Sequence, residues 1–424
     1  MELGSFDLSD PHTFIAGVPH EYFAWLRSNA PVSWQPNRQG GGFWNVVRYA
    51  DIVEVETNVD VFTSRTNIKP LPAPDSSIAA LVDRLLILSD PPRHAQLRKL
   101  IMKGFTPKAI SRIEEKIRRL CVTAVDAVAE AGECDLHDVA AYMPIEVVAE
   151  LLGVPEPDRQ QLFNWANAIF GAGDPEISSL AGSEKAAGEM FQYARDLAIK
   201  RRKVPGDDVF SQIAVAQENG EMLSDLDLGA FFLIIATAGN ETTRTQILQG
   251  MLTLMENPDA MAALRRDPSL IPNAVEEMLR ITSPALCFGR KATRDYLLQG
   301  QQIKAGDQVI MWYCSGSRDE TIFTDPDRFD ILRPNARDHM AFGSKAGIHR
   351  CLGAMLARSE LHAIFKEIVT RLPDIELAGP ATRLRSNFTN GIKHMPVRYT
   401  PATRVYDEPA RSYASQASPA YLEH

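Results

Sequence analysis

Cysteine is scarce in this chain. Its five residues, Cys121, Cys134, Cys287, Cys314 and Cys351, are an odd and scattered set among 424, with no Cys-x-x-Cys spacing. That excludes a disulfide framework and a cysteine-rich zinc site, and it fits a reducing compartment. Positive charge is also short, 45 Lys and Arg against 54 Asp and Glu, for a net charge of −9. A balance of that sign argues against nucleic-acid binding. No apolar run reaches bilayer length; the longest, Leu228 to Ala238, suits a buried helix. Met1 to His20 is polar and carries Pro11 and Pro19 where a signal peptide would have an apolar segment. The expected setting is therefore the cytoplasm, with no membrane anchor. Also missing are His-Glu-x-x-His, Gly-x-Ser-x-Gly and a phosphate loop, since Gly343-Ser344-Lys345 lacks the preceding spaced glycines.

What is there reads as helix. Glu21 to Ser28, Ile110 to Ala131, Pro144 to Leu152, Leu180 to Arg202, Leu223 to Glu256 and Ile271 to Ile281 carry apolar residues at i, i+3 and i+4. Val32–Trp34 and Gly42–Val47, joined through Gly40-Gly41, predict a small β-hairpin, and Gln308–Tyr313 and Met395–Tyr399 predict further strands. The expected fold class is mainly α with a minor β part. No linker or repeat divides the chain, so residues 1–401 are expected to form a single domain. From Ala402 the periodicity stops, and 402–424 is expected to be a disordered tail whose last residues, Leu422-Glu423-His424, match a vector scar.

Three clusters carry chemistry. In the first, Cys351 lies in a Gly-rich loop, Ala341 to Gly353, just ahead of the helical run Ala354–Ala357. A thiolate placed before a helix meets unpaired N–H groups and the positive end of the dipole, which lower its pKa and suit it to ligate haem iron. A lone cysteine is otherwise a small apolar core residue. The second is Ala238-Gly239-Asn240-Glu241-Thr242-Thr243, in the middle of a long helix opened by a Ser224/Asp227 capping box. Gly and Thr inside a helix cost stability, so a local distortion is expected there, with a hydroxyl and a carboxylate able to hold dioxygen and deliver protons. A close helix–helix contact through Gly239 accounts for the same residues equally well. In the third, Glu277 and Arg280 stand at i, i+3 among Val275, Met278, Leu279 and Ile281, so the pair is expected to be buried. A buried pair needs further partners, and Arg328 is the candidate third member.

These motifs, in this order, resemble the cytochrome P450 family over residues 10 to 400. The resemblance implies the family's triangular, α-rich haem fold, haem b as cofactor and a monooxygenase that uses dioxygen and two electrons per turnover. It casts Cys351 as the iron ligand, Glu241 and Thr242 as the catalytic proton relay, and Ala238 and Gly239 as residues beside the cofactor. It assigns the haem propionates to His94 and Arg98, in Asp90–Arg98, to Arg290 and to His349. One departure is visible: the family's Phe-Gly-x-Gly-x-His-x-Cys places Phe seven residues before Cys, whereas Phe342 stands nine before Cys351. Gly347 and His349 keep their offsets. The longer loop is expected to change how Phe342 shields the sulfur, and with it the iron potential.

The chain has no flavin or iron–sulfur sequence, so a separate ferredoxin and ferredoxin reductase are implied, with Lys99, Lys103, Lys345, Arg350 and Arg358 as a basic docking patch on a monomer. Ser64–Leu86, Pro284–Phe288 and Asn387–Gly391 are brought to the substrate pocket. Its expected wall is Phe231, Ile234, Ile235, Ala238, Leu286 and Phe388, with Arg65, Asn387 and Thr389 as polar anchors. Asn387–Lys393 and Val309–Tyr313 look most like bacterial members that oxidise steroids, terpenoids or other lipids; tailoring of polyketide or aromatic secondary metabolites is the alternative. A non-catalytic haem sensor would not need Glu241 and Thr242. A haem-free helical scaffold would leave Cys351 and the propionate cations without purpose.

Overall fold

The computed structural model describes residues 6–37, 41–70, 84–102, 105, 107–218 and 220–406. The chain divides into two compact units. The first comprises residues 1–94, 276–351 and 385–390 and holds a five-stranded sheet. Its strand order is Val32–Pro36, Gly42–Val46, Gln308–Trp312, Cys287–Ala292, Phe62–Thr63. The hairpin forms as the sequence predicts, with Val32 opposite Val46, and Gln308–Met311 runs parallel to Phe43–Val46. The Gln308–Trp312 strand is buried on both faces because both of its side-chain rows are apolar. Val309 and Met311 pack with Val32, Val46, Ile52 and Val55; Ile310 and Trp312 pack with Phe14, Phe23, Leu26 and Phe43. The polar end of Trp312 is satisfied inside, its Nε1–H donating to Asn45 Oδ1 at 2.8 Å.

The same unit contains the Glu277 network. Arg280 donates Nε–H and Nη2–H to the two Glu277 oxygens at 2.7 and 2.8 Å, and both side chains are wholly buried. The third member is Arg333, not the expected Arg328: Arg333 Nε lies 3.0 Å from Oε1 and 3.1 Å from Oε2. The chain reverses at Asp325, at φ 47°, and the Arg328 N–H closes on the Asp325 carbonyl. That turn leaves the Arg328 side chain exposed and offers its carbonyl to Arg280 and Arg333. The Asp330 N–H completes the shell at 3.0 Å.

The second unit, residues 95–275, 352–384 and 391–424, is helical. At its centre runs Asp225–Glu256, opened by the predicted capping box, both of whose bonds form. It packs against Leu136–Leu151, Leu180–Lys203, Arg159–Phe170 and Ala354–Arg371. Two predicted boundaries move. Pro144 was expected to start a helix but lies inside Leu136–Leu151, which begins where the Asp135 side chain accepts from His137 N–H. The apolar run from Val139 to Met143 sustains a helix that the proline interrupts by only one donor. The helix expected to reach Ala131 runs from Pro107 to Asp126, and the chain turns at Gly132, φ 79°. Asp126 then accepts the N–H groups of Val405 and Tyr406, so residues 402–406, the head of the expected tail, are docked. The remainder of that tail, residues 407–424, lies outside the described residues, as do Lys103 and residues 71–83 of the expected substrate segment. Among the described residues no helix is long and apolar enough to cross a membrane.

Removing Glu277 leaves two buried guanidinium groups without their anion, at a cost of about 3–5 kcal/mol. Glu277→Ala and Arg333→Ala should lose most of their soluble, folded protein in denaturant titrations, whereas exposed Arg328→Ala should stay within about 0.5 kcal/mol of wild type. Equal losses at Arg328 and Arg333 would refute the assignment of the third member.

Candidate active site

In the first unit two of the sequence-predicted cofactor residues, His94 and His349, meet. Asp90 accepts the Ser64 N–H at 2.9 Å and the Thr63 hydroxyl, and its carbonyl accepts the His94 N–H. That arrangement starts the Arg93–Met102 helix with His94 buried, and Arg98 follows one turn later on the same face. The His94 and His349 rings lie 4.4 Å apart, and His349 Nε2 shares a 2.8 Å hydrogen bond with the Ser64 hydroxyl. Ser64 carries no motif that would have singled it out. Arg290 is 3% exposed on the Cys287–Ala292 strand. Its side chain donates to the Gly289 carbonyl at 2.8 Å, and no carboxylate pairs with it among the described residues. A buried guanidinium without an anion is costly unless a ligand supplies one.

The cysteine loop closes despite its extra length. Gly343, at φ 78°, donates to Met340 O, Arg350 N–H to Gly347 O, and Cys351 N–H to Phe342 O at 2.9 Å. The Phe342 ring sits 5.5 Å from His339. Cys351 is exposed, three residues ahead of the Ala354–Arg371 helix. An accessible thiol, two imidazoles and an unneutralised guanidinium fit a metal-centred group with two carboxylates, which is what haem b is.

In the second unit the middle of the long helix, from Asp227 to Met251, is buried except for one stripe: Ile234, Ile235, Ala238, Gly239 and Thr242 are partly accessible. Their spacing of i, i+1, i+4, i+5 and i+8 makes a single helix face. The expected distortion does not break the helix, because the threonines bond within it. Thr242 donates its hydroxyl to Ala238 O at 2.7 Å and Thr243 to Gly239 O at 3.0 Å. Gly239 also serves close packing, since a Cβ there would meet Val148 Cγ2 at 3.0 Å.

Glu241 lies off the open stripe. It is 3% exposed and bonded to Arg244 and, at 3.4 Å, to the Thr245 hydroxyl; Arg244 also donates to Asn167 Oδ1 at 3.2 Å. Burial pushes the Glu241 carboxyl above its ordinary range, and Arg244 pulls it back. Arg244, at i+3 from Glu241, was visible in the sequence as a helix-face partner. A second buried acid, Glu360, is pushed up to about 8 by burial, against a hydrogen bond from Thr243. No motif marked it.

Several of the expected substrate contacts have partners within the fold. Phe231 is buried, its ring parallel to Phe210 at 6.4 Å. The Asn387 amide donates to the Leu8 and Ser9 carbonyls, and Leu286 is fully buried with its N–H on Phe388 O. Thr389 is buried in a bridge to Ala285. Phe388 stands edge-on to Phe288, and Arg65 is exposed. In the expected docking patch, Lys345 is ion-paired with Asp338 at 2.5 Å.

Known proteins agree with this geometry. A profile of the cytochrome P450 family matches residues 181–373. The steroid C26-monooxygenase of Mycobacterium tuberculosis is 39% identical over 407 residues, covering 93% of each chain. The linalool 8-monooxygenase of Pseudomonas putida is 37% identical, over 93% of this chain and 99% of that one. A Mycobacterium marinum cytochrome P450 solved with pseudoionone has a TM-score of 0.82 and 36% identity, covering 91% of this chain and 96% of its own. Identity of this extent, together with the cysteine loop and its cationic partners, means that this chain belongs to the cytochrome P450 family, haem-thiolate monooxygenases built around haem b.

Proposed function

We propose that this monooxygenase hydroxylates a medium-to-large lipophile of steroid, terpenoid or branched-lipid type. The observation that carries this reading is the accessible stripe of the long helix: four apolar residues and a single hydroxyl, Thr242. A surface of that kind gains about 25 cal/mol per Å² of apolar area it covers and offers little to a charged ligand. The named relatives act on a steroid and on linalool, which supports the same substrate class.

Cys351 is assigned as the iron ligand, and Arg290, His94, His349 and Arg98 as the donors that hold the propionates. When bound, the haem supplies dioxygen activation and C–H oxidation. The chain's own part is to hold and move protons. Thr242 presents its hydroxyl on the open stripe, and Glu241 replenishes the proton once its carboxylate leaves Arg244. Electrons come from a redox partner, which we assign to a ferredoxin and its reductase, with the enzyme acting as a monomer in the cytoplasm. The whole span 1–401 serves this one reaction.

Reduced enzyme under carbon monoxide should show the red-shifted Soret band of a thiolate ligand, and Cys351→Ala should abolish it. Persistence of the band in that variant would sink the assignment. Thr242→Ala should keep haem and substrate but divert reductant to peroxide, with the proton-delivery step slowed by about 10²–10⁴; unchanged coupling of reductant to product speaks against the relay. A ligand screen read by the iron's spin state should respond to steroids and terpenoids, with affinity rising as apolar area rises. A response confined to small charged compounds would overturn the lipophile reading.

A further inference from the structure

The two extra residues before Cys351 need an anchor, and Glu56 supplies one. It lies on the Tyr49–Thr57 helix, in the same compact unit as the loop, and is 3% exposed. One of its carboxylate oxygens accepts the Ser344 N–H at 2.8 Å, and the other accepts the Tyr313 hydroxyl. Tyr313 follows the central Gln308–Trp312 strand directly, so the carboxylate joins helix, sheet and loop at one point. Burial and the negative charge of Glu56 push the Tyr313 hydroxyl well above its ordinary range, which keeps it a donor. Ser344, itself buried, also braces the loop from within: its hydroxyl oxygen accepts the Gly347 N–H at 3.0 Å. Gly347 has to be glycine for the same reason, since a Cβ there would lie 2.9 Å from Glu56 Oε2. Carboxylate, serine and glycine thus define the path of the added stretch before the chain returns Cys351 N–H to Phe342 O.

We propose that Glu56 is a positioning residue for the thiolate ligand: by gripping Ser344 and Tyr313 it pins the lengthened loop and fixes the place from which Cys351 reaches the iron. The proposal rests on Cys351 being that ligand. The proposal ties the role to the two-residue lengthening of the loop, because Ser344, which Glu56 holds, lies in the lengthened stretch between Phe342 and Gly347.

The test uses the full-length, haem-loaded protein and follows the lifetime of the thiolate-type Soret band of the reduced carbon monoxide complex during mild warming. Glu56→Ala leaves the buried Ser344 N–H without an acceptor, and the band should be lost about tenfold faster or more. Glu56→Gln, which keeps an acceptor, should lie between the two. Deleting Lys345 and Ala346 to restore the usual spacing should cancel the effect of Glu56→Ala. If Glu56→Ala does not fold, amide exchange in Glu56→Gln replaces it, with Ser344 expected to lose protection relative to the rest of the sheet. A band lifetime equal to wild type in Glu56→Ala, or unchanged Ser344 protection in Glu56→Gln, would overturn the proposal. Absence of a thiolate band in the wild type would overturn the ligand assignment instead.

Discussion

A carboxylate removed from water keeps its charge only if donors close around it on every side. Glu277 accepts that condition fully: five donor contacts from Arg280, Arg333 and the Asp330 N–H surround it. The guanidinium groups then need acceptors of their own. They find them in the carbonyls of Ser317, Thr324, Asp325, Pro326 and Arg328, none of which belongs to a helix or strand. The irregular stretch from 317 to 333 is therefore shaped by side-chain charge rather than by backbone pairing. Its neighbour Glu276 extends the same logic, meeting His339 at 3.1 Å just ahead of the cysteine loop. Two adjacent acids on one helix thus set the approach to Cys351, and Glu56 takes over inside the loop.

The second unit solves a related problem differently. Its long helix carries several polar side chains that bond close to home: Thr237, Thr242 and Thr243 return their hydroxyls to the turn before, and Glu241 pairs with Arg244 one turn on. Local pairing lets the helix carry polar chemistry without breaking. It also separates the two halves of the relay, hydroxyl on the open face and carboxylate behind it. In the proposed relay, proton delivery by Glu241 includes the work of parting its ion pair with Arg244.

Much of this is legible in the sequence alone. Motifs whose chemistry is confined to a few neighbouring residues, such as the Ser224/Asp227 cap, the Glu277/Arg280 pair and the hairpin at 32–46, depend on spacing alone, and spacing is what a sequence displays. Arg333 was not legible because the choice between it and Arg328 rests on a backbone reversal at Asp325, a non-glycine residue at positive φ. Pro144 was misread because proline at a helix start and proline tolerated inside a helix look alike when apolar residues stand on both sides. Ser64 and Glu56 act on residues nearly three hundred positions away. Polarity in an apolar stretch, as at Asn387 and Thr389, has two explanations in a sequence, and only the structure shows that the backbone around Leu8, Ser9 and Ala285 bonds these residues.

The contact between Gly239 and Val148 carries a consequence for how this enzyme can change. On the proposed reading the front of the long helix meets the substrate, while a Cβ at 239 would come within 3.0 Å of Val148 Cγ2 on a neighbouring helix. Any residue larger than glycine at 239 has to be admitted from behind, by trimming Val148, before it can alter the front. The two positions form a lock of complementary sizes. Divergence toward new substrates along this helix is therefore channelled toward Ile234, Ile235 and Ala238, where side chains vary without asking a second helix to move.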